Sequence, residues 1–269
     1  MTETLTSSVS ADAIAQAAER LRTAAETGVA TSPVRDLIGR DDIAAAYAVQ
    51  NANIALQLEA GRVVVGRKIG LTSDAVQKQI GVATPDFGWL TDDMAFTDGD
   101  DIPFDKVLQP KAEAEVAFVL KADLAEGDLD YDQVKEAIDY GVAAIEVCGS
   151  RVANWDISFG DTVADNASAG VYVLGTERKT LDEFTPVDVE MTMSIGGEQV
   201  STGNGAACLG DPVNAVVWLA KYARDFGEPL RAGQVLLSGA LGPMAPITPG
   251  ATVEVSITGL GTVAATFPA

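Results

Sequence analysis

The 269-residue chain contains no histidine. That absence removes the commonest general base, the commonest transition-metal ligand and every relay in which a histidine activates a serine or cysteine. Acid–base chemistry here is left to carboxylates, lysine, tyrosine or metal-bound water. Cysteine is nearly as scarce. Cys148 and Cys208, with no C-x-x-C spacing, give no basis for a disulfide framework or a thiolate zinc site, and both read as small buried hydrophobes. Basic residues are outnumbered, 18 against 39 acidic, for a net charge of −21. Such a field repels phosphate backbones and anionic lipid, so neither nucleic acid nor a membrane surface is an expected partner. No run approaches the roughly 18 apolar residues of a membrane span, and "MTETLTSSVSADA" has neither a basic n-region nor an apolar h-region. The chain is expected to be soluble and cytoplasmic.

What is present is 47% hydrophobic residues, enough for one large domain or a domain with a helical appendage. The first sixty residues have helical spacing. Ile14, Ala18, Leu21 and Ala25 mark one helix between Ser10 and Gly28; Ile43, Tyr47, Ile54 and Leu58 mark a second, starting at Asp41 or Asp42 and ending at Gly61. After Gly61 short β-rich runs dominate, among them "RVVVGRKIGL", "EAEVAFVLK", "GVAAIEVCG", "AGVYVLG", "DVEMTMSIGG", "QVLLSG", "ATVEVSITG" and "TVAATF". Helices interrupt them at "DYDQVKEAID" and at "DPVNAVVWLAKYARDFG", where Pro212 suits a first turn and Gly227 an end. Without regular β-α alternation, this order predicts an α+β fold with a rolled or sandwiched mixed sheet. "GLGTVA" near the C-terminus leaves no room for a dinucleotide-binding unit and reads as a hairpin turn. With no G-x-S-x-G motif and no histidine, Ser150, Ser168 and Ser238 read as hydrogen-bonding groups rather than nucleophiles.

The carboxylates carry the chemistry. In "LQPKAEAEVAFVLK", strand alternation puts Glu113, Glu115 and Ala117 on one face and Ala114, Val116, Phe118 and Leu120 on the other. A solvated outer face is the plain alternative for such a pair. Glu146, however, sits in the middle of the apolar strand "GVAAIEVCG", where an ionised carboxylate needs a cation or loses its charge. Three inward carboxylates without histidine or thiolate make an all-oxygen site suited to Mg²⁺ or Mn²⁺. In "VVVGRKIGLTSD", Lys68 follows a β run and precedes Gly70, whose missing side chain permits close approach; a solvated strand-end lysine is the alternative. Asp86, between Pro85 and Gly88, falls in a turn-like segment, where a turn-forming aspartate is the simpler reading.

Longer stretches resemble a known family. "GRKIGLTSDAVQKQIGVATPDFGWLTDDM", "LQPKAEAEVAFVL", "AAIEVCGSRVANWDISFGDTVADNASAGVYVLG" and "LSGALGPMAPITPG", in this order, are similar to the 2-keto-4-pentenoate hydratases of meta-cleavage aromatic catabolism, within the fumarylacetoacetate hydrolase-like superfamily. The helical spacing makes residues 1–62 an N-terminal helical segment packed on the rest, and the resemblance, from about residue 40 to the C-terminus, implies a rolled mixed β-sheet catalytic domain, placed at 63–269. It implies a divalent metal held by Glu113, Glu115 and Glu146, with Lys68 and Asp86 at the reacting carbons. Ser168, Ser238 and Gly239 would line the substrate pocket. The expected reaction is hydration of 2-hydroxypenta-2,4-dienoate, or a close alkyl homologue, to 4-hydroxy-2-oxopentanoate. The expected assembly is a homo-oligomer, a pentamer or decamer, with the downstream aldolase or a partner decarboxylase as expected associates. A 2-oxo-3-hexenedioate (4-oxalocrotonate) decarboxylase of the same superfamily is the nearest alternative. A noncatalytic, metal-dependent binding protein for 2-oxo acids is the alternative of another class, and it would need the glutamates but not Lys68 or Asp86.

Overall fold

A computed structural model describes residues 7–73, 77 and 84–269. The expected helix signals are in place. Helix α1, Ala11–Thr27, begins where the Ser10 side chain accepts a hydrogen bond from the Ala13 N–H, and it stops at Gly28 in the left-handed region. After the short α2, Arg35–Ile38, helix α3 spans Ile43–Glu59, and the Asp42 side chain accepts from the Ala45 N–H at its start.

The strands that follow are β1 (Val64–Gly70), β2 (Asp86–Thr91), β3 (Ala95–Thr97) and β4 (Lys111–Leu120). Helix α4 (Tyr131–Ala137) runs directly into β5 (Ile138–Cys148). Helix α5 (Phe159–Ala164) precedes β6 (Val171–Leu174), and β7 (Glu190–Ile195) forms a hairpin with β8 (Glu198–Asn204). Helix α6 (Pro212–Asp225) leads to β9 (Val235–Ala240), β10 (Ala245–Pro246), β11 (Thr252–Ile257) and β12 (Gly261–Thr266). An eight-stranded sheet runs in the order β2-β1-β9-β4-β5-β6-β3, with β10 added beside β4; a four-stranded sheet runs β12-β11-β7-β8. The larger sheet is mixed, because β1 pairs with β9, and β3 with β6, in parallel, while its other pairings are antiparallel.

Alternation divides the labour of the large sheet. Ala114, Val116, Phe118 and Leu120 of β4 join Ile145 and Val147 of β5 in the main core, which also takes in Leu21 of α1 and Leu219 of α6. Full burial of each large side chain there is worth about 1.5–3 kcal/mol. The opposite face carries a smaller apolar cluster of Leu90, Ala117, Val142, Ala144, Tyr172 and Leu237. By alternation from Ala117, Glu113 and Glu115 stand on this second face.

"GLGTVA" is the hairpin between β11 and β12, closed by the pair Ile257–Gly261. Two expectations need correction. The segment around Asp86 is not a turn: Asp86 opens β2 opposite Gly70 of β1. Pro85, which has no N–H to give a ladder, lies just before the strand and so does not interrupt it. The helix expected over "DYDQVKEAID" yields at Ala137, because Ile138 already pairs with Leu120.

Candidate metal centre and catalytic site

Strand register brings the third carboxylate to the first two. In the β4–β5 pair, Glu113 lies directly opposite Glu146 and Glu115 opposite Ala144, so all three carboxylates share one face. Glu115 is 0% and Glu146 1% exposed; Glu113 is the least buried of the three. The solvated outer face is thereby ruled out. Glu115 Oε2 accepts a hydrogen bond from the Gly239 N–H at 2.8 Å. Glu115 Oε1 and both Glu146 oxygens accept none among the described residues.

The cation facing them is Lys68, itself 3% exposed. Its Nζ stands 3.0 Å from Glu146 Oε1, an ion pair outside hydrogen-bond alignment, and donates a hydrogen bond to the Ala167 carbonyl at 3.1 Å. Burial alone would strip the proton from such a lysine. The negative field of Glu146, with smaller contributions from Cys148, Asp86 and Glu113, overrides burial and holds the ammonium well above its ordinary range. Asp86 is 1% exposed. Burial pushes its carboxyl up to about 6, against the pull of Lys68 and with the help of Glu146. The Thr162 hydroxyl lies close enough to restrain that rise, although neither Asp86 oxygen accepts an aligned hydrogen bond among the described residues.

Gly70 makes the juxtaposition possible. A Cβ there would stand 2.3 Å from Asp86 Oδ1 and 3.4 Å from Lys68 Nζ. At the far side, Gly239 has φ +114°, and a Cβ on it would meet the Thr72 side chain at 2.3 Å. A left-handed turn completes the wall: Asn166, Ala167 and Ser168 have φ of 56°, 51° and 56°. Three such residues cost of order 1 kcal/mol or more each, and surrounding bonds must hold them. The Asn166 side chain accepts from the Trp89 N–H and donates to the Trp89 carbonyl, while Arg151 grips Asp165 and donates to the Ala169 carbonyl. The Ser168 hydroxyl shares a 3.1 Å hydrogen bond with that of Thr162, which places it beside Asp86. Ser238 stands apart from the other expected pocket residues. It is 0% exposed, its hydroxyl donates to the Val116 carbonyl at 2.7 Å, and alternation turns it to the face opposite that of Leu237.

Two neighbours were not anticipated. Thr162 carried no sequence signal. Cys148 is buried as expected, yet its thiol points at Glu113 Oε2, 3.6 Å away. Burial, reinforced by Glu113, raises the thiol well above its usual range, so it stays protonated. The signal was its i, i+2 relation to Glu146, which puts both on one strand face.

Four buried or part-buried carboxyl groups thus converge on one ammonium. Burial and the charge of Glu146 lift Glu113 to about 7 and Glu115 well above its ordinary value. Carboxylates with unpartnered oxygens fit a hard divalent cation, which would repay that mutual repulsion. Glu113, Glu115 and Glu146 would hold it.

The family described as fumarylacetoacetate (FAA) hydrolase C-terminal matches residues 63–268. The chain is 54% identical over 255 residues to TodF product hydratase of Pseudomonas putida, covering 95% of each. It is 50% identical over 252 residues to 2-keto-4-pentenoate hydratase of Paraburkholderia xenovorans, covering 94% of each. Among solved structures, 4-oxalocrotonate decarboxylase from Pseudomonas putida G7, complexed with magnesium and adipate, matches with a TM-score of 0.92 at 34% identity, over 97% of this chain and 100% of that one.

Proposed function

The chain belongs to the fumarylacetoacetate hydrolase family, and from that premise we propose that it is a divalent-metal-dependent hydro-lyase. It hydrates 2-hydroxypenta-2,4-dienoate, or a close alkyl homologue, to 4-hydroxy-2-oxopentanoate in aromatic catabolism. The observation that carries this reading is the convergence of three strand glutamates, Lys68 and Asp86 on one buried face, in a chain about half identical to 2-keto-4-pentenoate hydratases.

Glu113, Glu115 and Glu146 would hold a divalent ion such as Mg²⁺ or Mn²⁺, which would supply Lewis-acid stabilisation of the substrate's negative charge. The protein residues do the rest. Lys68, held as an ammonium, stabilises the negative charge on the C2 oxygen as the dienol's O–H proton is lost. Asp86, with a carboxyl at about 6, can both give and take a proton near neutrality. It delivers a proton to C5 while the C2 O–H proton leaves to solvent; it then takes a proton from the water whose oxygen bonds to C4, and C3 takes one from solvent, so that one water is added overall. Water is consumed and no carbon is lost. Ser168 and Gly239 border the substrate, the former through Thr162 and the latter through its hold on Glu115. Ser238 supports that wall from behind.

Decarboxylation of a substrate with a distal carboxylate calls for a second cation. Arg67 and Arg151 are the arginines nearest the motifs. Arg67 stacks 3.1 Å over the Trp89 ring, and Arg151 is committed to Asp165 and Ala169, so neither is offered to that end. Incubation with the C5 dienol, followed by ¹³C NMR, tests the assignment: a C4 carbinol signal is expected. Release of labelled CO₂ from 2-oxo-3-hexenedioate, with no hydration of the C5 dienol, would transfer it to the decarboxylase.

We place the segment 1–62, of which residues 1–6 lie outside the described residues, as a support for the catalytic domain, 63–269, through the helices of residues 11–59, and we place the protein in the cytoplasm. No helix among the described residues is long and apolar enough to cross a membrane. A homo-oligomer, pentamer or decamer, belongs to the same proposal, as does association with an aldolase or decarboxylase. Exposed Val29, Leu58 and Val63 are apolar surface that assembly would cover. Light scattering of the purified protein tests it; a monomer at micromolar concentration counts against it.

A further inference from the structure

Glu113 and Glu146 face one more ligand than the hard-ion set uses. One ligand atom from each of Glu113, Glu146 and Cys148 lies within 4.8 Å of the other two. Register explains the grouping. Cys148 follows Glu146 by two residues on β5 and pairs with Lys111, so it stands on the carboxylate face next to the Glu113–Glu146 pair. Glu115, by contrast, already has one oxygen engaged by the Gly239 N–H. Glu146, 1% exposed, has no aligned hydrogen bond to either oxygen among the described residues; Lys68 Nζ faces its Oε1 at 3.0 Å, which leaves Oε2 to serve either neighbour.

Two ligand sets would therefore share the same two carboxylates: the all-oxygen set of the metal reading, closed by Glu115, and an oxygen–sulfur set closed by Cys148, whose ligand atoms already lie within 4.8 Å of one another. Resting on the metal reading above, we propose that the site also takes a thiophilic divalent ion, such as Co²⁺, Zn²⁺ or Cd²⁺, through Glu113, Glu146 and Cys148, in competition with the hard ion. A metal–sulfur bond forms as the S–H bond breaks, and the proton leaves to solvent; no electron is transferred. Sulfur prefers the later transition metals and Cd²⁺ to Mg²⁺, so Cys148 adds affinity for those ions without adding any for Mg²⁺. Because both sets need Glu113 and Glu146, occupancy by one ion excludes the other. The chain thus carries a built-in sensitivity to thiophilic metals, independent of Cys208, which donates its thiol to the Ser238 carbonyl.

Spectroscopy tests this without recourse to turnover. Metal-free protein is titrated with Co²⁺ and watched for the near-ultraviolet thiolate-to-cobalt charge-transfer band, and in parallel with Mn²⁺ by electron paramagnetic resonance. The band is expected in the parent chain and absent in Cys148→Ala. The same variant should bind Cd²⁺ about tenfold or more weakly, release one proton fewer per ion, and bind Mn²⁺ within about twofold of the parent. Cys148→Ser, closer in size, repeats the comparison if the alanine variant melts early. Mn²⁺ binding with no thiolate band at saturating Co²⁺ overturns this inference alone, as does a band that survives in Cys148→Ala. Failure of both Mn²⁺ and Co²⁺ to bind overturns it together with the metal reading.

Discussion

Lys68 shows how single side chains divide binding from chemistry. Its ammonium pairs with Glu146 at 3.0 Å but is not among the oxygen donors, so removing its charge should leave the ion in place. Lys68→Met is expected to lower kcat by about 10²–10⁴-fold with Mn²⁺ occupancy retained, as read by turnover and paramagnetic resonance on the same samples. An unchanged kcat would favour the noncatalytic binding protein. Gly70 offers a steric counterpart. Because its Cβ would stand 2.3 Å from Asp86 Oδ1, Gly70→Ala should displace the acid–base carboxyl. A drop in kcat with little change in KM or metal affinity is expected. A parent-like kcat would show that Asp86 can move without consequence, against its assigned role.

At the scale of elements, the left-handed turn at 166–168 is the part of the site most dependent on its supports. Asn166 bridges the N–H and the carbonyl of Trp89, and the next residue supplies the carbonyl that receives the Lys68 ammonium. Asn166→Ala removes both bridges and puts alanine at φ 56°, a conformation asparagine tolerates better. A loss of roughly 1–3 kcal/mol in denaturant unfolding is expected, together with a lower kcat. Strand alternation made part of this architecture legible in advance: Glu113 and Glu115 on one face, and Glu146 in an apolar strand, needed only the period of two. Register did not follow from composition. That Glu146 sits opposite Glu113 depends on how β4 and β5 pair, and that Lys68 sits near them depends on β9, remote in sequence, lying between β1 and β4. Pro85 and Gly88 are common to turns and to strand starts, so the sequence around Asp86 gives a turn signal where the structure has the first residue of β2. Cys148 has the sequence signature of a buried hydrophobe because its apolar setting is real, while its carboxylate neighbour Glu113 is on another strand. The turn at 166–168 has no glycine to announce it.

The whole molecule carries its acidic excess inward as well as outward, and that has a sign in pH. Asp86 has its folded value at about 6, above its ordinary 3.8, so between about pH 4 and 6 the folded state binds the extra proton. Stability contributed by that proton is present at low pH and lost as pH rises through the window, on the order of 3 kcal/mol by pH 7. Glu113, held at about 7, extends the loss toward neutrality. A divalent ion competes with these protons. Thermal melts of metal-free protein should therefore weaken from pH 5 to pH 8, and the increment from added Mg²⁺ should grow over the same range. A Mg²⁺ increment independent of pH would place the ion elsewhere. The most direct test of the central claim joins occupancy to reaction. Metal-free protein is titrated with Mn²⁺, and bound ion and loss of the dienol chromophore are measured in the same samples. The two curves should superimpose and saturate at one ion per chain, and Glu146→Ala should flatten both. Full turnover before any ion is added, or parent-like Mn²⁺ binding by Glu146→Ala, would contradict the account.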